Sequence, residues 1–204
     1  LSSADEDFSY TEKQLNIFKE CVLKAKKEFN LKYIHSSASN GLLNFKDDIC
    51  NLVRPGIILY GYESFSGVND LIDIKPVCKF KSKITFLKEV DKDTSISYSR
   101  SFITTGKTKV ATIPLGYADG IRRCLSNKGS VVVNNTKVPI IGKVCMDSFM
   151  IDVTNLDVSV GSDVYIFDND IIKVEDIASI YDSINYEVIS TISSRVPRLF
   201  LLDE

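Results

Sequence analysis

The residues best suited to chemistry lie between residues 94 and 123. Tyr98 stands there between small hydroxylated residues, with Arg100 two positions further on. A tyrosine that has small neighbours and a nearby cation can approach a ligand and loses its proton more readily than a solvated tyrosine. Downstream, an apolar run leads into the glycine-punctuated turn 116–120, which carries Tyr117. Because surface turns seldom combine these features, we predict the main site of chemistry in this stretch.

Two segments further upstream indicate a second candidate site. Residues 31–35 are predicted to form a short strand that opens onto the small residues 36–41, which include Ser39. Such a turn is typical of phosphate sites built from backbone N–H groups and hydroxyls, although a plain serine-rich turn has the same composition. Arg54 then precedes a Pro-Gly turn and a continuous apolar run over residues 57–62. A continuous apolar run of this length predicts a strand that is buried on both faces.

Helical patterns flank this second site. A Thr11-x-x-Gln14 capping box precedes apolar residues at helical spacing, which predicts a helix over residues 11–29. A weaker helical pattern covers residues 42–52. Together with the two strand candidates, these helices follow the strand–helix–strand order of α/β proteins.

The pattern changes near residues 65–75, where we expect a domain boundary without a flexible linker. Beyond it, short apolar runs bounded by turn residues are typical of a compact antiparallel sheet or barrel. Asn134-Asn135 predicts a hairpin turn between two of the runs, and residues 174–184 are predicted to be helical. The predicted strands lie within residues 77–90, 109–115, 130–133, 138–141, 148–153 and 164–168.

Composition excludes several classes of protein. The 204 residues are 44% hydrophobic and 25% charged with a net charge of −2, which gives no reason to expect nucleic acid as a partner. No apolar run approaches the roughly 20 residues that span a bilayer, and the acidic N-terminus differs from a signal peptide. Five cysteines without a Cys-x-x-Cys pair argue against a disulfide framework or a metal site and favour a cytoplasmic protein. Since the sequence opens abruptly without Met, we expect a fragment.

Five separated segments, read in order, resemble one family of enzymes, the alanine racemases. The closing segment ISSRVPR, residues 192–198, also matches the C-terminal signature of that family. Each motif is weak alone, but their order and their spread over essentially the whole chain make the set specific. The five segments are HSSAS (35–39), VRPGIILYG (53–61), SYS (97–99), GYADG (116–120) and GKVCMD (142–147).

The resemblance implies a fold of class α/β plus β, in which the C-terminal portion of a (β/α)8 barrel precedes a mainly antiparallel β domain. On that template residues 1–68 belong to the barrel and residues 69–204 form the β domain. The implied cofactor is pyridoxal 5′-phosphate, and the implied assembly is a homodimer whose active sites are shared across the interface. The implied activity is the racemisation of alanine for peptidoglycan. The lysine that binds the cofactor in the family has no counterpart here, so we expect it before residue 1.

Tyr98 matches the position of the family's catalytic tyrosine, so the resemblance implies that Tyr98 is the catalytic residue. Racemisation removes the Cα proton on one face and returns a proton on the other, which requires two acid–base groups. In the family these groups are the lysine and a tyrosine from the partner subunit. Arg54 matches the arginine that faces the pyridine nitrogen, which must accept a hydrogen bond because a guanidinium only donates. The implied cofactor-binding residues are Ser39, Arg54, Gly56, Ile57 and Ser194.

The implied substrate-binding residues are Met146, whose counterpart contacts the substrate carboxylate through its backbone, and Tyr117, which lines the entrance. Ser194 departs from the family pattern, because many relatives have a tyrosine there. A smaller residue leaves room beside the substrate side chain, so a serine racemase on the same scaffold is an alternative. A second alternative is a chain that is non-catalytic alone because the lysine is missing. We interpret His35 as structural and Asp119 as a turn-forming carboxylate.

Overall fold

The chain forms two compact units in the computed structural model, which describes residues 1–64 and 68–201. The predicted boundary region 65–75 includes residues 65–67, which lie outside the described part. The first unit ends nine residues beyond residue 68 (77 − 68), and the predicted division into a barrel segment and a β domain stays a prediction. The two units are Leu1–Val77 and Cys78–Glu204.

The first unit contains helix α1 (Phe8–Ala25), which confirms the predicted helix but not its start. Asp7 is the N-cap, and its carboxylate accepts a hydrogen bond from the Tyr10 backbone N–H at 2.9 Å. The predicted capping box at Thr11 is wrong, because Asp7 offers a strong cap one turn earlier and Thr11 is buried inside the helix. The helix also ends four residues before the predicted residue 29 (29 − 25).

The strand predicted over residues 31–35 does not form within the described part of this unit. Instead, Ile34 and Asn51 exchange two hydrogen bonds. The Asn51 Oδ1 accepts from the Ile34 N–H at 2.8 Å, and the Ile34 carbonyl accepts from the Asn51 N–H at 3.0 Å. A single exchange of this kind does not extend into a ladder. Helix α2 (Ser39–Asn44) begins three residues before the weaker helical pattern at 42–52 (42 − 39) and ends within it.

The second predicted strand of this unit, over residues 57–62, is also wrong. The segment Ile57–Tyr60 is a 3-10 helix. Gly56, with φ −122° and ψ −93°, breaks the extended backbone before it, and Gly61, with φ 73°, ends it in the left-handed region. A short apolar run has no period that distinguishes a buried strand from a buried helix, so the sequence pattern alone does not separate the two.

Among the described residues of the second unit, nine short strands form, and every pairing is antiparallel. They are β1 (Phe80–Lys83), β2 (Phe86–Val90), β3 (Ser95–Ile96), β4 (Phe102–Ile103), β5 (Thr108–Ile113), β6 (Ser130–Val133), β7 (Thr136–Ile141), β8 (Phe149–Asp152) and β9 (Asp163–Phe167). Seven of them form one sheet in the order β1-β9-β6-β7-β8-β5-β2, and β3 pairs with β4. The predicted antiparallel sheet is therefore confirmed.

The sheet buries an apolar face, and its hairpin turn has the predicted chemistry. Strands β5 and β8 pair so that Ile113 lies opposite Phe149, and both side chains are fully buried. Asn134 and Asn135 connect β6 to β7 with φ of 48° and 56°. Two consecutive positive φ values define the type I′ turn, which asparagine tolerates better than most residues. This local chemistry fixes the register of the hairpin.

Two helices follow the sheet. Helix α3 (Val174–Tyr181) confirms the predicted helix at 174–184, although it ends earlier because Asp182 adopts a left-handed conformation with φ 51°. Helix α4 (Asn185–Ser190) comes next. In the part of the chain that the structure describes, no helix has the length and apolar character needed to cross a bilayer. The same residues include no group of three His, Cys, Asp or Glu side chains that could hold a metal ion.

A buried carboxylate closes the turn that follows β9. Asp168 is 7% exposed, and its Oδ1 accepts the N–H groups of Asp170 at 3.2 Å, Ile171 at 2.9 Å and Ile172 at 2.9 Å. Burial raises the pKa of this carboxyl, but the backbone N–H groups lower it by more, so its pKa lies below the ordinary value. A carboxyl whose pKa is lower in the folded state stabilises the fold above its unfolded pKa, and this stabilisation is lost as the pH falls through the folded pKa.

We expect Asp168→Asn to lower the free energy of unfolding at neutral pH by roughly 1–3 kcal/mol, because an amide oxygen is a weaker acceptor than a carboxylate. The difference from wild type should shrink as the pH falls from about 5 toward 2, where the wild-type carboxyl also becomes neutral. Urea unfolding at several pH values measures it. Asp170→Asn, at an exposed side chain, is the control and should change stability by less than about 1 kcal/mol. A difference that does not vary with pH would contradict the assignment.

Candidate active site

In the first unit, two hydrogen bonds bring the start of α2 against residues 54–57. The Ser39 hydroxyl, in a side chain that is 2% exposed, accepts the Gly56 N–H at 3.0 Å. The Ser37 carbonyl accepts the Arg54 N–H at 2.9 Å. After accepting one bond, a serine hydroxyl still carries a proton that it can donate to an anion. These bonds bring the segment that carries Ser39 against the segment that carries the other three predicted cofactor-binding residues of this unit.

These four residues differ in what they can offer a ligand. The Arg54 side chain is exposed, and a Cβ added at Gly56 would meet no heavy atom within 4 Å, so open space adjoins the backbone there. The Ile57 side chain is buried, which leaves only its backbone to reach a ligand. Because the Gly56 N–H donates to the Ser39 hydroxyl, the donors that the set presents are that hydroxyl, the Ile57 backbone N–H and a guanidinium. All of these groups donate hydrogen bonds, which suits a phosphate and a ring nitrogen that acts as an acceptor.

In the second unit, Tyr98 begins a 3-10 turn, Tyr98–Arg100, between β3 and β4. Its side chain is 72% exposed, so it is not a core tyrosine. Arg100 would lie on the same side as Tyr98 in a regular strand. In this turn Arg100 has φ 50°, so the backbone is not extended and the alternation of a strand does not place Arg100 beside Tyr98.

The residues on both sides of Tyr98 are bonded to the loop that follows β7. The Ser97 Oγ donates to the Lys143 carbonyl at 2.9 Å and lies 3.8 Å from the Cys145 Sγ, while the Lys143 Nζ donates to the Ser99 Oγ at 3.0 Å. Ser97 itself has φ 65° and ψ −179°. This conformation is almost restricted to glycine and costs a residue with a side chain about 1–3 kcal/mol. The backbone before Tyr98 is therefore strained, and the contacts to residues 143–145 hold it.

The turn that carries Tyr117 pairs with the same loop. The Tyr117 N–H donates to the Cys145 carbonyl at 3.0 Å, and the Ala118 N–H donates to the Met146 carbonyl at 2.9 Å. A Cβ added at Gly116 would overlap both of these carbonyl groups, so only glycine permits the approach. Met146 is 57% exposed and Tyr117 is 44% exposed. Met146 is therefore not a core methionine, and both side chains are available to a ligand or a partner.

Asp119 connects this turn to the segment near Ser194. Its buried carboxylate accepts the Gly116 N–H at 2.9 Å and lies 3.5 Å from the Arg195 Nε. Its backbone carbonyl accepts the Ser193 N–H at 3.2 Å. The carboxylate thus stabilises the turn by accepting a backbone hydrogen bond, as a turn-forming carboxylate is expected to do. Ser194 lies exposed in the neighbouring turn.

The fold joins the predicted residues Tyr98, Tyr117, Met146 and Ser194 through one set of hydrogen-bonded turns in the second unit. The sequence motifs contain Ser97 and Lys143 but assign neither a role, although these residues make the bonds that hold the Tyr98 turn. They bond across 46 positions of sequence. The local sequence indicates only a turn at the start of the 142–147 motif, through Gly142, which has φ 81°.

Comparison with known proteins connects both units to one family. The family model described as "Alanine racemase, N-terminal domain" matches residues 1–64, and "Alanine racemase, C-terminal domain" matches residues 77–200. The alanine racemase of Halothermothrix orenii is 45% identical over 97% of this chain and 54% of its own length.

Solved structures give the same result. The alanine racemase from Bacillus anthracis with bound L-Ala-P superimposes with a TM-score of 0.92 at 34% identity, over 100% of this chain and 54% of that one. The enzyme from Bartonella henselae with covalently bound pyridoxal phosphate superimposes with a TM-score of 0.82 at 30% identity, over 98% of this chain and 54% of that one.

The chain spans about half the length of the curated relatives that it matches. The matched segments, 1–64 and 77–200, cover most of its residues, and the solved alanine racemases superimpose on nearly the whole chain, which confirms the fold class that the resemblance implied. On these grounds the chain is a member of the alanine racemase family.

Proposed function

We propose that this chain is part of a pyridoxal-phosphate-dependent racemase that interconverts L- and D-alanine in the cytoplasm for peptidoglycan. The observation that carries the proposal is the exposed phenol of Tyr98, presented on a turn that two side-chain bonds hold in a strained conformation. Residues kept in such a conformation cluster at functional sites, because the surrounding contacts must maintain them. The family membership of both units supports the same assignment.

The donors of the first unit fit the proposed cofactor. The Ser39 hydroxyl and the backbone at Gly56 and Ile57 would bind the phosphate, and the open space beside Gly56 permits close approach. Arg54 would face the ring nitrogen and hold it as an acceptor, since a guanidinium has no acceptor of its own. When bound, pyridoxal phosphate supplies an electron sink that acidifies the Cα proton of the amino acid.

Tyr98 is the residue to which we assign the proton transfer. Its phenolic oxygen would take the Cα proton on one face of the substrate or return one there, and the opposite face requires a second group. The phenol is exposed and unhindered, so it is available to a substrate held by a neighbouring molecule.

The same exposure supports the proposal of a homodimer with shared active sites. Tyr98 and Met146 are both exposed and lie on turns that are bonded to each other, as residues that complete a partner's site would be. The Met146 backbone would contact the substrate carboxylate, and Tyr117 would line the entrance. Ser194 would lie near the phosphate.

The direct test is turnover by the native protein that carries residues 1–204. With pyridoxal phosphate present, L-alanine should convert to D-alanine and D-alanine to L-alanine, both followed by chiral chromatography. Absence of both conversions in a folded, cofactor-loaded protein would contradict the proposal.

The second candidate function is racemisation of serine, which the small and exposed Ser194 favours. The ratio of kcat/KM for D-alanine and D-serine decides between the two. Ser194→Tyr should lower kcat/KM for serine about 10-fold or more relative to alanine if the space beside Ser194 admits the serine hydroxymethyl group. An unchanged ratio would remove Ser194 as the determinant of substrate size.

A further inference from the structure

The backbone around Tyr98 departs from what its sequence would adopt alone. Ser97, Ser99 and Arg100 have φ of 65°, 59° and 50°. Residues with a side chain rarely adopt positive φ, and Ser97 in addition has ψ −179°, a combination that glycine alone adopts without strain. A turn of this kind persists only if neighbouring groups hold it.

Lys143 supplies contacts on both sides of Tyr98. Its carbonyl accepts the Ser97 hydroxyl at 2.9 Å, and its ammonium donates to the Ser99 hydroxyl at 3.0 Å. The Ser97 Cβ also lies against Gly142, where an added Cβ would come within 2.5 Å of it. One loop residue therefore fixes the residue before and the residue after the tyrosine.

We propose that Ser97 and Lys143 are positioning residues for Tyr98. The Ser97 hydroxyl holds the strained turn against the loop, the Lys143 ammonium bonds its other side, and together they set the direction of the phenol. The inference rests on the proposed acid–base role of Tyr98. It explains why serine occupies a position where glycine would be less strained, because glycine has no hydroxyl to bond the Lys143 carbonyl.

Two substitutions of Ser97 separate the hydroxyl from the strain. Ser97→Gly removes both, and Ser97→Ala removes the hydroxyl but keeps the Cβ and its strain. In the native protein we expect both variants to lower kcat for alanine about 10- to 100-fold, because a misplaced acid–base group costs rate. We expect KM to stay within about twofold, because Tyr98 moves the proton and does not bind the ground state.

The two variants should differ in their melting temperatures, although both lower kcat. Ser97→Ala should lower the melting temperature, whereas Ser97→Gly should leave it unchanged or raise it, since glycine relieves the positive φ. Amide hydrogen exchange of residues 96–102 should accelerate in both variants. Ser95→Ala, at an exposed serine on β3, is the matched control and should change neither rate nor exchange. A Ser97→Gly variant with wild-type kcat and wild-type exchange would overturn the inference.

The role of the Lys143 ammonium is tested by comparing a substitution that removes the charge with one that keeps it. Lys143→Met should lower kcat and accelerate exchange of residues 96–102, and Lys143→Arg should restore most of both, because a guanidinium can still donate to the Ser99 hydroxyl. Lys137→Met, at an exposed lysine on β7, is the control. Equal losses in the Met and Arg variants would overturn the role of the ammonium.

Tyr98→Phe, measured in parallel, keeps the two hypotheses apart. If Tyr98→Phe is inactive while Ser97→Gly retains wild-type kcat and exchange, the positioning inference alone fails. If Tyr98→Phe retains full activity, the proposed role of Tyr98 fails, and the positioning inference fails with it. Slower turnover in both the Tyr98 and Ser97 variants, with faster exchange in the latter, is the expected result.

Discussion

Replacing Tyr98 with phenylalanine in the native protein should lower kcat for alanine in both directions by about 10²- to 10⁴-fold, the usual contribution of a general acid–base group. The substitution removes one oxygen from a side chain that is 72% exposed, so the fold should not change. Pyridoxal phosphate should still bind, because the donors proposed to hold it belong to other residues. Steady-state turnover and the absorbance of the bound cofactor measure these two properties separately.

The control for this prediction is Tyr33→Phe. Tyr33 is 61% exposed and lies in the first unit, so it matches Tyr98 in residue type and exposure. Its loss of a hydroxyl should leave kcat within about twofold of wild type. Racemisation by Tyr98→Phe at the wild-type rate in both directions would exclude Tyr98 as a proton-transfer group.

The second large effect should come from Gly116→Ala. The new Cβ would overlap the carbonyl groups of Cys145 and Met146, which are backbone atoms and cannot rotate away. The Tyr117 turn and the loop must separate, and the two hydrogen bonds between them lengthen or break. We expect a loss of roughly 2–4 kcal/mol in the free energy of unfolding, from overpacking together with the lost hydrogen bonds.

The matched control is Gly106→Ala, because a Cβ added there meets no heavy atom within 4 Å. Its stability should stay within about 0.5 kcal/mol of wild type. Urea unfolding of both variants tests the comparison. If Gly116→Ala were as stable as Gly106→Ala, the close pairing of the Tyr117 turn with the Cys145–Met146 loop would be contradicted.

Much of the second unit could be predicted because its determinants are local. Asn134 and Asn135 tolerate positive φ, so the sequence names the hairpin turn directly, and the apolar runs on either side pair as strands. The sequence also names the candidate residues Tyr98, Tyr117 and Met146, because their motifs occur in the family order. Their exposure agrees with a role at a ligand or partner surface.

The remaining features depend on contacts between distant residues. The run 57–62 has strand-like composition, but the glycines on either side of Ile57–Tyr60 turn it into a 3-10 helix. Ser97 and Lys143 form a bond across 46 positions, and nothing in the local sequence of either residue indicates the other. The sequence does not predict the N-cap at Asp7, because Thr11 offers a competing capping pattern.

The central claim is that Tyr98 moves the Cα proton on one face of the substrate. It is tested most directly by Cα hydrogen exchange in D2O with the cofactor-loaded native protein, starting separately from L-alanine and D-alanine and read by mass spectrometry. Wild type should incorporate deuterium from both enantiomers. Tyr98→Phe should incorporate it from only one enantiomer, the one whose Cα proton faces the second acid–base group. Wild-type exchange from both enantiomers in Tyr98→Phe would contradict the claim.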